Sequence, residues 1–505
     1  MRYNNTGNRS IFGIAVLIAA GLSALLVGVV IAVLPPGVVV RLLLPTLFLA
    51  GVVIAWAGRV EDGGAPLRVL SVLVFLVVAL SILWPRYLFL HAGGLPGINP
   101  LTLSTMGLLA LLVFSIAASP KVTRLIGEQA VNGGWTLKIA IAWLAWRFFA
   151  SILGEHPVLS VIDLLKESVY VTSFLLFGLF ASSLHSGPER VIRTIVGCGL
   201  LVSIVGVYEA FAQRNPFVGL ISNMGDAAAP QALMAIAAEK IRDGGFRAQS
   251  TFDHPIVFAQ FVAGLLPLAL FTWKHDSKFL WRLIGLVTFP VGLLAIAKAG
   301  SRAGYVSIVG ALILIGLVWW VRALLLGRTS KAIAIIALPA VAALIPIAWY
   351  VAQEFAVGKT QHEFSSTAVR LGMLSDGIYA LWDSPLTGFG HGMALFKAGI
   401  VNSFGLATID SYLLSIALDY GYVGLLLFLG FLASFSIGAF RFAVSGQSYK
   451  CALVGACFAS VMALLTTFAV VSIYQNMTML WLLVCIVFPI WTGNTAKIAP
   501  NRAGS

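Results

Sequence analysis

Roughly fourteen stretches of this chain are long and apolar enough to cross a hydrocarbon core, and nothing else constrains its fold as strongly. A crossing helix needs about 20 such residues, because the bilayer interior offers no water to a peptide N–H or C=O and each must bond within its own segment. The stretches cover 11–34, 37–57, 68–90, 101–118, 136–154, 168–185, 190–212, 255–273, 279–298, 302–322, 331–352, 412–440, 449–473 and 476–492. Pro35-Pro36, the EDGGAP run at 61–66, GGLPGINP at 93–100 and HSGP at 185–188 separate the early ones. Only 10% of the 505 residues are charged and 60% are hydrophobic, where a soluble domain carries about 25% charge. Short alternating segments, the mark of a membrane β-barrel, do not occur. The expected fold class is all-α: a polytopic integral membrane helical bundle with about 14 transmembrane helices.

Orientation follows from the short loops. If spans alternate, Arg2, Arg59, Lys121, Arg190, Lys278, Arg328, Arg441 and Lys497 fall on one side, which the positive-inside bias makes the cytoplasm. Both termini are then cytoplasmic. The net charge of +13 reads as topology and contact with anionic lipid. No basic patch is interleaved with aromatics, so nucleic acid is not an expected partner. The apolar run 11–34 is too long for a signal-peptide core and reads as an uncleaved first span. Cys198, Cys451, Cys457 and Cys485 all lie inside apolar stretches, where they pack and form no metal-type pair.

The chain then divides into five regions: N-terminal helices in 1–212, an external loop at 213–254, central helices in 255–352, a large external loop at 353–411, and C-terminal helices with a short cytoplasmic tail in 412–505. The two external loops are expected to cap the bundle. In the first, Ala228 to Arg242 has helical spacing, with Leu233, Met234, Ala237 and Ile241 on one side, and reads as an interfacial amphipathic helix.

Four clusters on the expected external face carry groups suited to chemistry. GGFRAQSTFDHP at 244–255 places Arg247, Asp253 and His254 just before a span whose first turn begins with Pro255. A helix start favours an anion nearby, although His254 is equally a plain cap. KAGSRAG at 298–304 brackets a tight turn with Lys298 and Arg302, which either snorkel to headgroups or face inward, where arginine's planar fork grips two anion oxygens. In 366–392, Arg370 recurs with Met373, Leu374, Ile378 and Leu381 at helical spacing, followed by a GFGHG turn that contains His391. That turn lacks the strand and the full spacing of a dinucleotide site. In TIDSYLLSIALDYGYVG at 408–424, Asp410 is placed to cap a helix, and it is also a carboxylate on the same face as the arginines.

The clusters resemble, in order and spacing from about Arg247 to Gly424, the O-antigen ligase and Wzy-type polysaccharide polymerase superfamily. The shared features are FR-x-x-S/T-F-x-HP before a span, a Ser-Arg pair opening a later span, an arginine-bearing helix followed by P-L-x-G-x-G, and a polar residue before YL with G-x-x-G beyond. The resemblance implies a metal-independent, inverting membrane glycosyltransferase without a cofactor. Its donor would be a glycan on undecaprenyl diphosphate and its acceptor a second glycan. Arg247, Arg302 and Arg370 would hold the diphosphate, with Lys298 as helper. Ligases carry His-Asn before the YL segment, where this chain has Asp410-Ser411. That departure favours an exopolysaccharide or capsule polymerase in which Asp410 replaces the histidine as general base, with His254 and His391 as the other catalytic candidates. The implied setting is the bacterial inner membrane with the active face periplasmic. Membrane lipids, a chain-length regulator and export machinery are the further partners.

Two alternatives stay open. A ligase would transfer glycan to lipid A-core. A lipid-linked-oligosaccharide or anion transporter would also need many helices and a few inward cations, but would place ionisable groups near mid-membrane and on broken helices. Within the spans here, Arg147 and Glu209 are the main charges.

Overall fold

The computed structural model describes residues 51–52, 54, 66–88, 99–217, 240–242, 245–327, 361–401, 407–468 and 474–495. The expected spans 11–34 and 331–352, nearly all of 37–57, and residues 228–239 of the expected amphipathic helix lie outside them. Two compact units divide the chain, residues 1–70 with 109–125 and residues 71–108 with 126–505. The second contains the cavity described below.

The described residues are overwhelmingly helical. Early in the chain come α1 (Leu67–Leu83), α2 (Pro100–Ala118), α3 (Pro120–Asn132) and α4 (Gly134–Leu153). Next, α5 (Pro157–Glu167) runs through a π-helical turn at Ser168–Thr172 into α6 (Ser173–Ser183), and α7 spans Gly187–Ala212. A central trio follows, α8 (Pro255–His275), α9 (Phe279–Ala299) and α10 (Arg302–Leu325). Then come α11 (Gln361–Leu381), the short α12 (Ala394–Ala398), α13 (Tyr412–Val444), α14 (Tyr449–Phe468) and α15 (Met477–Thr495). Nine helices among the described residues are long and apolar enough to cross a membrane, and two shorter apolar ones lie at Leu67–Leu83 and Met477–Ile490. The expected count of fourteen rests partly on residues outside those described.

Most helix bounds fall within a few residues of the expected spans. One differs usefully. The span expected at 168–185 is the second half of a continuous helix that starts at Pro157. Its first half carries Asp163, Lys166 and Glu167, which give that stretch the look of a loop. The π-turn adds a residue to one turn and so rotates the following face by about 100°. The polar face of α5 and the apolar face of α6, with Phe174 and Phe177 fully buried, can then meet different neighbours.

Helix α8 is the hub and is buried along nearly its whole length. Without water to expel, membrane helices associate through close packing, which small residues allow. Here α7, α9 and α10 each present a glycine to α8. A Cβ at Gly199 would lie 2.5 Å from Leu265 Cδ2, and one at Gly304 would lie 2.9 Å from Ala259 Cβ. Outside the helices are two antiparallel ladders of two residues per strand, β1 (Ile241–Arg242) with β2 (Gly245–Phe246), and β3 (Ile400–Val401) with β4 (Ala407–Thr408). Ile241 and Arg242, assigned by spacing to the amphipathic helix, therefore form a strand. The Asp243-Gly244 pair between β1 and β2 is a hairpin signal that outweighs helical spacing.

Candidate functional site

A break in α13 organises the site. At Gly421 the backbone leaves the helical region, with φ 69° and ψ −175°, which opens carbonyls on one side and amides on the other. The turn after α11 takes up most of these groups. Phe389 N donates to Leu418 O (2.8 Å), Gly390 N to Asp419 O (2.9 Å), and Tyr422 N to Pro385 O (2.7 Å). The Trp146 indole donates to Tyr420 O (2.9 Å). This close approach of two backbones explains the glycines of the GFGHG turn. A Cβ at Gly388 would sit 2.5 Å from Leu418 O, and one at Gly421 would sit 2.1 Å from Leu386 O. Pro385 and the glycines thus shape a tight turn against the break at Gly421.

The break also places side chains. The two oxygens of Asp419 accept from Gly392 N (3.0 Å) and Ala394 N (2.8 Å), which fixes the start of α12. His391 then lies against Tyr420, with Nδ1 and Oη 2.5 Å apart and the rings stacked. Tyr420 Oη accepts from Arg147 Nε at 3.0 Å, and Arg147 Nη2 binds Glu167 Oε2. His391 Nε2 is 3.6 Å from that same Glu167 oxygen. His391 Nδ1 and Tyr420 Oη thus share a hydrogen bond whose direction follows the His391 tautomer, while Nε2 faces Glu167. Burial pushes His391 down to about 4, more than Glu167 pulls it back, so the ring is neutral near pH 7.

These residues form one wall of a cavity of about 1080 Å³. Arg86, the N-terminal end of α2, Lys166, Asp253, His254, Asp410 and Gln475 complete it. Helix ends contribute the chain just after α1, the start of α2, the last turns of α4 and the starts of α8, α13 and α15, while Asp163, Lys166, Glu167 and Tyr170 come from within the α5–α6 helix and His391–Phe396 from the turn into α12. If spans alternate in direction, all of these ends belong to one face.

The residues expected from sequence divide into two groups. His254, His391 and Asp410 all line the cavity. His254 is the N-cap of α8, with Nδ1 accepting from Ile256 N at 3.2 Å, so its proton sits on Nε2. Burial, then the charges of Arg247 and Lys240, depress it to about 3. Asp410 does not cap α13. Ser411, the residue directly before the helix, does so by accepting from Leu414 N, and Asp410 lies one position too early. Instead Asp410 Oδ2 accepts from Arg370 Nε at 3.1 Å, which ties Arg370 to a cavity-lining residue.

Arg247, Lys298 and Arg302 gather at the turn between α9 and α10. Arg247 Nε donates to Ala299 O (3.0 Å), and Ala248 N donates to Lys298 O (3.1 Å). Lys298 Nζ lies 4.8 Å above the Phe211 ring. Arg302 opens α10 directly after its cap, Ser301. Neither these three nor Arg370 is among the cavity-lining residues; the lining cations are Arg86, Arg147 and Lys166. The sequence flagged Arg147 as a charge within a span but offered no partner for it. Arg86 and Lys166 were obscured by their positions at the end of one apolar stretch and between two others. Glu209, the other charge within a span, accepts from Gln249 N (3.1 Å) and Ser250 N (2.6 Å) and holds the loop that precedes α8. No group of three or more His, Cys, Asp or Glu placed to hold a metal ion occurs among the described residues.

Residues 286–429 match the sequence model of a family described as O-antigen ligase. This match supports the O-antigen ligase and Wzy-type superfamily. The match covers less than a third of the chain, and it includes Lys298, Arg302, Arg370, His391, Asp410 and the break at Gly421. Arg86, Arg147, Glu167, Arg247, Asp253 and His254 fall before it. No curated protein matches the chain. The O-antigen ligase match supports a glycosyltransferase-type role in polysaccharide assembly for a multi-pass membrane protein.

Proposed function

We propose that this protein joins undecaprenyl-diphosphate-linked oligosaccharide repeat units into a surface polysaccharide on the periplasmic face of the inner membrane. The observation that carries the reading is the cavity itself. It combines cations, carboxylates and aromatic rings around one space, and the superfamily stretch contributes Asp410, His391 and the 419–420 wall. In this reading a hydroxyl of the acceptor sugar attacks the anomeric carbon of the donor, and the lipid diphosphate leaves with the bonding electrons. Arginines stabilise the growing negative charge because their fork donates two hydrogen bonds to neighbouring oxygens. Arg370 serves at the mouth, with Arg247, Arg302 and Lys298 grouped on the His254 side. The acceptor proton goes to a carboxylate of the cavity wall, and Asp410 is the one that the sequence singles out.

The Gly421 break raises the transporter reading, since broken helices with charged groups mark transport sites. The length of α13 favours the enzyme reading. Gly421 to Val444 alone reaches about 36 Å at 1.5 Å per residue, enough to cross the hydrocarbon core. In this reading the break marks the end of a span, with Asp419 at the membrane edge.

The test is deletion of the gene in its host, with lipid-linked and surface glycans sized by electrophoresis and mass spectrometry, then complementation with Arg302→Ala. Single repeat units on the lipid without long polymer are expected in both strains, with the variant expressed normally. Normal chain lengths in the variant would remove Arg302 from the mechanism. Long polymer retained on the lipid would mean a ligase, and repeat units trapped on the cytoplasmic leaflet would mean a transporter.

A further inference from the structure

Glycosyl transfer at this cavity needs a group that can accept a proton, and most candidates on its wall are already engaged. His254 uses Nδ1 as a cap acceptor, and His391 Nδ1 is occupied by Tyr420. Both oxygens of Asp419 accept backbone amides. Glu167 binds Arg147, and Asp410 binds Arg370.

Asp253 differs. It lines the cavity, yet its Oδ1 is buried without a hydrogen-bond partner among the described residues. A buried carboxylate oxygen left unsatisfied is rare and calls for a reason, because the missing bond is costly. Its backbone, by contrast, is firmly held. Ser250 N donates to Glu209 at 2.6 Å, Thr251 Oγ1 donates to Ile82 O at 2.8 Å, and Phe252 packs between Phe258 and Phe261. His254 then starts α8. A fixed backbone that holds a carboxylate with one unsatisfied oxygen at a cavity wall is the arrangement a pre-organised site needs.

We propose that Asp253 is the catalytic carboxylate that takes the proton from the attacking hydroxyl of the acceptor glycan. This rests on the glycosyltransferase reading above. The acceptor O–H bond breaks and its proton passes to the Asp253 carboxylate. The acceptor oxygen bonds to the donor's anomeric carbon, and the bond from that carbon to the diphosphate breaks, with its electrons leaving on the diphosphate. The protonated Asp253 then releases its proton to water. Asp410, tied to Arg370, positions the mouth. The titratable groups around Asp253 are Arg86, Tyr87 and His254. Burial raises the Asp253 carboxyl above the ordinary carboxylate range, and Arg86 draws it partly back. A carboxylate raised in this way keeps more driving force for proton uptake than an exposed aspartate.

The experiment uses full-length protein in lipid nanodiscs with lipid-linked repeat units isolated from the deletion strain. Wild type, Asp253→Asn, Asp253→Glu and Asp410→Asn are assayed for kcat, KM and rate against pH. Asp253→Asn should lower kcat on the order of 100-fold with little change in KM, and its residual rate should no longer rise with pH. Asp253→Glu should restore part of the rate together with the pH rise. Asp410→Asn should keep the pH rise. An Asp253→Asn rate within threefold of wild type, or one with an unchanged pH rise, overturns the proposal. Should the Asn variant not fold, Asp253→Glu decides. A wild-type rate and pH profile despite the displaced carboxylate overturn it, and a lowered rate with a shifted profile supports it. Wild-type protein that forms no longer glycan from these substrates overturns the glycosyltransferase reading instead.

Discussion

Replacing Arg147 with Met tests whether the charge network behind His391 carries stability as well as shape. The Arg147 and Glu167 side chains are 3% and 4% exposed, so each depends on the other for neutralisation. Removing the cation leaves the Glu167 carboxylate buried without its partner, which costs about 3–5 kcal/mol in comparable pairs. Part of the loss is unrelated to Glu167. The Nε bond to Tyr420 at 3.0 Å is worth about 1 kcal/mol, and the stacking over Trp143 at 4.7 Å about as much again. The double variant Arg147→Met/Glu167→Leu loses those two contacts but no longer strands a charge. It should therefore recover about 1–3 kcal/mol of the single variant's loss, a coupling typical of residues in direct contact. Equilibrium unfolding in mixed micelles, followed by circular dichroism, gives all three stabilities. A single-variant cost below about 1 kcal/mol, or a double variant no more stable than the single, would refute the reasoning.

Two further predictions concern the same wall. Gly421→Ala forces a side chain into a backbone region that only glycine occupies readily, and onto Leu386 O, so it should cost about 2–5 kcal/mol, measurable as a lowered thermal midpoint. Activity should fall further than stability, because the turn that holds His391 must move; full activity would show that the turn's position does not matter. His254 and His391, depressed to about 3 and about 4, favour the folded state while neutral. Their contribution is complete above the unfolded value near 6.5 and is lost as pH falls from there toward the folded values. Thermal midpoints should drop across that window, and the drop should be smaller in His391→Gln; an equal drop in the variant would show that His391 does not contribute.

The helices were legible in sequence because apolar length is a local property. Pro255, Ser301 and the break at Gly421 mark their element boundaries through capping and backbone chemistry that a few neighbouring residues decide. The site was only half legible. His254, His391 and Asp410 could be found because each stands beside a helix end, and all three line the cavity. The pairing of Arg147 with Glu167 and Tyr420 could not be read, since it joins α4, α5 and α13 across distant sequence. Arg86 escaped notice for a different reason. It closes an apolar stretch, and hydropathy does not tell a cation that snorkels to lipid from one turned toward a cavity. The capping role given to Asp410 failed by one position, which is the ordinary uncertainty of a helix start read from composition.

The cavity wall has a chronology. It draws on Arg86 near the beginning of the chain and on Gln475 near its end, and the turn that carries His391 is bonded to carbonyls of a helix made after it. During synthesis Arg147 and Glu167 enter the membrane long before Tyr420 emerges from the ribosome. The reaction chamber therefore does not exist on a growing chain. It closes only once α13 and the start of α15 are in place, so a prematurely terminated product would be an inserted membrane protein with no chamber at all.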